Sequence, residues 1–259
     1  MEEIKKHLHY SFIGGREGVG CSFISLNFAV ELIARNYRVI YSTSNENEHA
    51  DILLRNKIKV ISSLSLNNSK IDRLRVLTFP KDFQPTTDEK LDTMLAALPY
   101  HLSEEKDIYI HNLNDPQFFP DRYILSNSDA CIIALRVDAK SVSEYFSIIN
   151  NMTLYGIKPA KIFVVFNYTS DMERAFDLYS KILKETGDFK IDMQPFFIGI
   201  IPNDFLRQAY AVKLKLPLRL LFPESSIKGS VAFMADKILS NNKESAAETM
   251  SIVPYAENE

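Results

Sequence analysis

Four of the eight glycines in this 259-residue chain, Gly14, Gly15, Gly18 and Gly20, fall within seven residues. Glycine is otherwise scarce, so such a cluster marks backbone that needs unusual dihedrals or close approach to something else. The apolar run His9–Ile13 leads directly into it, and an apolar-periodic segment follows directly. Strand, glycine-rich loop and helix is the setting in which backbone N–H groups curl around an anion at the positive end of a helix.

The rest of the chain repeats the alternation of strand and helix. Short apolar runs occur at His9–Ile13, Arg38–Thr43, Arg75–Phe79, Asp107–Leu113, Ala130–Val137, Lys161–Asn167 and Phe196–Ile201. Several are apolar at both parities, as strands covered on both faces are. Between them lie segments of helical period. Ser22–Asn36 aligns Leu26, Val30 and Ile33; Asp88–Leu102 aligns Leu91, Met94 and Leu98. Val142–Tyr155 aligns Phe146, Ile149 and Met152; Asp171–Thr186 aligns Ala175, Leu178 and Ile182. Ser226–Ser240 aligns Ile227, Val231, Met234 and Ile238. The expected fold class is α/β: a doubly wound, mostly parallel sheet with helices on both faces. One domain is expected over residues 1–240. Residues 241–259, polar and acidic, read as a flexible tail.

Composition narrows the function. Hydrophobic residues make up 46% and charged residues 24%, which fits a soluble globular chain. No apolar stretch approaches the roughly 20 residues that span a bilayer. The N-terminus MEEIKKHLHY lacks the apolar core of a signal peptide. Two cysteines cannot build a disulfide framework, so a reduced, cytoplasmic setting is expected. The net charge of −3 gives no bulk attraction to nucleic acid. The five histidines, His7, His9, His49, His101 and His111, show no metal-ligand spacing, and no metal site is expected.

The loop resembles the deviant phosphate loop of the MinD/ParA family of P-loop ATPases, with its pattern G-K-G-G-V-G-K-T-T. Gly15-Arg16-Glu17-Gly18-Val19-Gly20-Cys21-Ser22-Phe23 lies over it without a gap. Further segments are similar in order: RNYRVIYSTSNENEHADILL to the second strand and its loop, LRVLTFP to the third, and KDIYIHNLNDP to the Walker B strand. DACIIALRVDAKSVSEYFSIINNM is similar to the next strand and helix. IFVVFNY resembles the strand ending in an adenine-contacting asparagine, here Asn167. FFIGIIPND and LKLPLRLLFPES are similar to the closing segment.

The resemblance implies a P-loop fold with a nucleotide site at Gly15, Arg16, Gly18, Val19, Gly20, Cys21, Ser22 and Asn167. It also shows what the site has lost. Cys21 stands where the family's lysine reaches the β- and γ-phosphates. Arg16 replaces the lysine that reaches a partner's nucleotide. Ser42 and Ser44 stand where the second strand carries aspartates, and Asn112 where the Walker B aspartate lies. Glu17 adds a negative charge to the loop, and a like-charge pair at about 4 Å costs roughly 4 kcal/mol at an effective dielectric near 20. Phosphoryl transfer depends on positioning and charge stabilisation, so the expectation is a pseudo-ATPase with no catalytic residue and no cofactor. If the loop keeps a ligand, it is ATP with Mg²⁺, and Ser22 is then the metal ligand.

The function implied is an interaction or regulatory subunit that positions or controls a bacterial cell-envelope assembly: flagellum, pilus, secretion, polysaccharide export or division. The partners implied are a protein of that larger assembly and a second copy in a homodimer; nucleic acid is not expected. Two other readings stay open. One is a nucleotide-dependent switch that still binds ATP and hydrolyses it slowly. The other is a DNA-associated ParA-like partition protein using Arg207, Lys213, Lys215 and Arg219. The simpler reading of KLKLPLRL is a strand-like edge with a solvated face. Cys21 is either a small filler or a low-pKa thiol at a helix N-terminus, and His111 sits at a strand end facing the site. Glu244, Glu248, Glu257 and Glu259 outweigh Lys243 in the tail. Anionic lipid repels such a tail, so no direct membrane anchor is expected there, and membrane recruitment would pass through a partner.

Overall fold

In the computed structural model, residues 8–43, 65–68, 71, 73–78, 107–113, 119–214 and 216–250 are described. Eight strands are present among them. In chain order they are β1 (Leu8–Gly14), β2 (Arg38–Thr43), β3 (Ser65–Asn68), β4 (Leu74–Thr78), β5 (Asp107–Leu113), β6 (Ala130–Arg136), β7 (Ile162–Asn167) and β8 (Pro195–Ile201). They form one sheet in the order β3-β4-β2-β5-β1-β6-β7-β8. Every pairing is parallel except β3 on β4, which is antiparallel. The seven expected strands are all present within a residue or so. β3 was not foreseen: Ser65–Asn68 is polar, and an edge strand needs no apolar face.

The described helices are α1 (Cys21–Ala34), α2 (Phe119–Ser126), α3 (Ser141–Leu154), α4 (Met172–Asp188), α5 (Phe205–Leu214), α6 (Leu218–Leu221) and α7 (Ser226–Met250). The expected helix Asp88–Leu102 lies outside the described residues. α1 and α7 cover one face of the sheet, where Phe12, Ile24, Phe28, Phe163 and Met234 meet. α3 and α4 cover the other, where Ile13, Ile133, Tyr145, Ile149 and Ile182 meet. Residues Ala130–Leu135 of β6 are buried at both parities, as the run CIIALRV required. Each fully buried Ile or Phe contributes about 1.5–3 kcal/mol.

α7 continues past residue 240 to Met250; the stretch NNKESAAETM contains no glycine or proline and is rich in helix formers. One expectation needs correction. KLKLPLRL is not a strand-like edge. Its first leucine ends α5, and Pro217, at φ −57°, caps the start of α6.

α1 departs from its expected single stripe, because every residue from Ile24 to Leu32 is buried. It lies beneath the sheet with α6 and α7 against its other sides. Its inward polar residues are therefore paired. The Glu31 carboxylate accepts from Arg35 Nε at 2.8 Å and Arg219 Nε at 2.5 Å, and Arg35 Nη1 also reaches Asp236 at 2.5 Å. Asn27 Oδ1 accepts from the Arg219 backbone N–H at 3.0 Å. This cluster pins α1, α6 and α7 together on the far side from the loop.

Candidate functional site

β1 delivers the glycine loop to the carboxyl end of the sheet, where doubly wound folds place their ligands. Gly15 N–H bonds Ala134 O at 3.0 Å, anchoring the loop to β6. Gly18 and Gly20 both take left-handed backbone, at φ +76° and +84°. Gly20 is the N-cap of α1 and offers no side-chain cap; its carbonyl instead accepts from Ile24 N–H at 3.0 Å.

The chain's own side chains close over this loop. Asn167, buried at the end of β7, donates through Nδ2 to Val19 O at 2.7 Å and accepts at Oδ1 from Tyr168 N–H at 2.9 Å. Both ends of its amide are thereby used. Tyr168 sits at φ +59°, a region that costs a non-glycine residue on the order of 1 kcal/mol or more. Its ring is held 4.9 Å from the Arg136 guanidinium. Arg136 Nη2 in turn donates to Gly18 O at 2.6 Å. A Cβ on Gly20 would lie 2.3 Å from Asn167 Nδ2 and 2.7 Å from Tyr168 Oη. Tyr168 and Arg136 were not anticipated from the sequence. Neither is glycine, nor lies in the loop; only the register of β6 and β7 brings them over it.

Arg16 does not point into the loop's mouth. It is paired with Asp138, in the β6–α3 turn, and with Glu144, in the first turn of α3. The hydrogen bonds it donates to Asp138 first, then Glu144, hold the guanidinium protonated beyond its ordinary range. The same contact holds the Asp138 carboxyl below its ordinary value of 3.8. Glu144 also presses on the loop backbone: a Cβ on Gly15 would lie 2.9 Å from its Cβ and Oε2. Glu17 is exposed.

Because Asp138 is depressed in the folded state, its contribution is fully present above the unfolded value and fades as pH falls through the folded one. Wild type and Asp138→Asn are therefore expected to differ in melting temperature at pH 6–7 and to converge as pH falls below the ordinary carboxylate range. A gap that stays constant with pH would show that the carboxylate charge is not what holds Arg16.

Cys21 is half-buried against the core, and burial pushes its thiol up to about 12. It is a neutral filler at neutral pH, not a low-pKa thiol. Ser22 Oγ accepts from Asn112 Nδ2 at 2.9 Å. Asn112 thus brings an amide, not a carboxylate, to the hydroxyl of Ser22.

Ser42 does not join them. Its Oγ lies 2.5 Å from His111 Nδ1, on the opposite face of the sheet from Asn112. His111 accordingly does not face the loop, because successive strand residues point to opposite faces. Its Nε2 lies 3.2 Å from His9 Nδ1, and burial, then His9, lowers its pKa well below the ordinary value. Ser44 and Lys215 lie outside the described residues. No group of three or more His, Cys, Asp or Glu side chains able to hold a metal occurs among the described residues.

No family model matches the chain, and no curated protein matches it by sequence. Solved structures do match over nearly the whole fold. A ParA family ATPase from Chlorobium tepidum superposes with a TM-score of 0.68 at 14% identity, covering 89% of this chain and 98% of that one. A plasmid partition protein from Borrelia burgdorferi, bound to AMPPNP, gives 0.66 at 14%, covering 91% and 100%. MinD from Aquifex aeolicus, in its complex with MinC, gives 0.65 at 14%, covering 90% and 96%. The chain has the MinD/ParA-type P-loop fold.

Proposed function

We propose that this protein is a pseudo-ATPase of MinD/ParA-type fold that serves as an interaction or regulatory subunit of a bacterial cell-envelope assembly. The observation that carries this reading is the pairing of Arg16 with Asp138 and Glu144. In a loop whose lysine position holds Cys21, Arg16 is the loop's own cationic side chain, and two carboxylates already neutralise it. The residues present do not fit Mg·ATP. An incoming phosphate would meet Glu17, Asp138 and Glu144 around the loop, and a neutral Asn112 where Mg²⁺ needs a carboxylate to hold its waters. The adenine-matching Asn167 spends its amide on Val19 and Tyr168. A fold kept while its site is filled by its own side chains is best used as a surface. MinD itself is known in complex with a protein, MinC, and a protein partner is proposed here by that likeness. Recruitment of that partner, rather than turnover, is the proposed activity.

Titration calorimetry with ATP and Mg²⁺ is expected to give no saturable heat, and phosphate release is expected to equal a mock preparation. Saturable Mg²⁺-dependent binding, or turnover that disappears in Ser22→Ala, would overturn the reading and restore a nucleotide-dependent switch.

A further inference from the structure

Three polar side chains cross the middle of a mostly apolar sheet face. Ser42 on β2, His111 on β5 and His9 on β1 belong to adjacent strands, in the spatial order β2-β5-β1. Ser42 and His111 are register partners, and His9 stands two residues before Ser11, the partner of His111 on the other side. Ser42 and His111 are buried, and His9 is half-buried. The planes of the two imidazoles lie within 10° of each other, with centroids 5.4 Å apart and His9 Nδ1 3.2 Å from His111 Nε2. Those two distances differ by about two ring radii, so the nitrogens point straight at each other. That is the geometry of a hydrogen bond in line, not of two ligands converging on a metal.

Each link needs one donor and one acceptor, and a neutral imidazole has one of each. The chain therefore runs in one direction or the other. Ser42 Oγ has no hydrogen-bond partner but His111 Nδ1 among the described residues. If Ser42 accepted, its hydroxyl hydrogen would be buried without an acceptor, a cost that the opposite direction avoids. In the neutral state Ser42 thus donates to His111 Nδ1, and His111 Nε2–H donates to His9 Nδ1. We infer that these three groups form a proton switch in the centre of the sheet, in which one proton taken up by the histidine pair turns Ser42 from donor to acceptor. The proton count balances wherever the charge rests. A proton added at His111 Nδ1 makes that nitrogen a donor, so Ser42 Oγ accepts and its own hydrogen turns away. Passage of the Nε2 proton to His9 Nδ1 then leaves His9 charged and His111 neutral, with its hydrogen on Nδ1; Ser42 still accepts. A second proton would set two cations 3.2 Å apart, so the folded pair takes up one.

The surroundings place the charge on His9. Burial, then His9, holds His111 well below its ordinary value. His9 is the less buried of the two, its ring stacked at 4.4 Å on Tyr109 and its backbone N–H held at 2.9 Å by the Asp129 carboxylate. The neighbouring strand β6 brings Cys131, whose thiol burial pushes up. Ser11 and Ser128 bond to each other at 2.5 Å. Arg38 on β2 and Asp121, Arg122 and Tyr123 on α2 each have a partner of their own. Ser42 is the last residue but one of β2, and His9 the second of β1. A proton held near the amino end of β1 is therefore reported two strands away, at the carboxyl end of the sheet, where doubly wound folds place their ligands. This goes beyond the proposed function and does not depend on whether the glycine loop binds nucleotide.

Histidine ring-nitrogen NMR of the full chain, without nucleotide, tests this in a titration from about pH 8 to about pH 5, the span in which imidazoles change charge. At the alkaline end His111 is expected with its hydrogen on Nε2. On acidification the pair should take up one proton, His9 becoming doubly protonated while the His111 hydrogen moves to Nδ1. The Cβ signal of Ser42 should shift along the same curve. His9→Asn keeps an acceptor near the Nδ1 position but does not titrate, and should leave the His111 and Ser42 signals flat. Ser42→Thr keeps the hydroxyl and should titrate as wild type does. If His9→Asn does not fold, the wild-type titration decides alone. His111 with its hydrogen on Nδ1 at the alkaline end overturns the proposal. So do Ser42 and His111 signals that stay flat while His9 titrates, both rings charged together in the folded protein, or a Ser42 shift undiminished in His9→Asn.

Discussion

Glu31→Ala is expected to cost about 3 kcal/mol or more. Breaking a buried ion pair from one side typically costs about 3–5 kcal/mol, because the remaining charge stays uncompensated. Here one carboxylate serves two guanidinium groups, Arg35 and Arg219. Both arginines retain some solvent contact, which places the cost toward the low end of that range. At about 2–4 °C per kcal/mol for a chain of this size, the melting temperature should fall by about 6–12 °C. The damage should be shared by α1, α6 and α7, since Arg219 belongs to α6 and Arg35 also holds Asp236 of α7. Exchange of Glu31 for Met fills the volume but not the charge, and should recover little. A fall of less than about 2 °C in Glu31→Ala would mean that solvent already screens the cluster.

Gly20→Ala is expected to cost about 2–5 kcal/mol. The left-handed backbone at φ +84° costs an L-residue about 1–2 kcal/mol, and forcing a methyl into a filled space adds about 1–3 kcal/mol. The new Cβ has nowhere to go, since Asn167 Nδ2 and Tyr168 Oη already stand within 2.7 Å of its position. Asn167 would have to release Val19 O, and the cover over the loop would open. Gly18→Ala is the control: its backbone is similarly left-handed, at φ +76°, but no atom lies within 4 Å of a Cβ there. It should lose only the backbone part. Chemical denaturation of the pair separates strain from crowding. Equal losses would show that Asn167 and Tyr168 do not fill the loop.

The elements on which the fold rests were legible in the chain. Runs such as CIIALRV and KIFVVFN are apolar at both parities, and only a strand covered on two faces has a use for that pattern. The helical stripes Ala175–Leu178–Ile182 and Ile227–Val231–Met234–Ile238 are buried as spaced, because an amphipathic helix on a sheet has one way to face. The four clustered glycines located the loop, since positive φ at Gly18 and Gly20 is a local demand of the backbone. The mismatches at Cys21 and Asn112 were equally local, and Asn112 does meet Ser22.

What the tertiary structure decided are the contacts between distant segments. That Arg16 turns to Asp138 and Glu144 follows from the parallel register of β1 on β6, which fixes the turn after β6 beside the loop. That Tyr168 and Arg136 close over the loop follows from β6 and β7 ending together. Ser42 and Asn112 carry similar chemistry in the sequence, yet the pleat sends them to opposite faces. α5 is the clearest case. A sequence period tells which residues share a face but not whether that face is turned inward or to solvent. For Leu206, Tyr210 and Leu214, packing against α6 and Phe222 turned the apolar face out, and no pattern within the helix itself carries that choice.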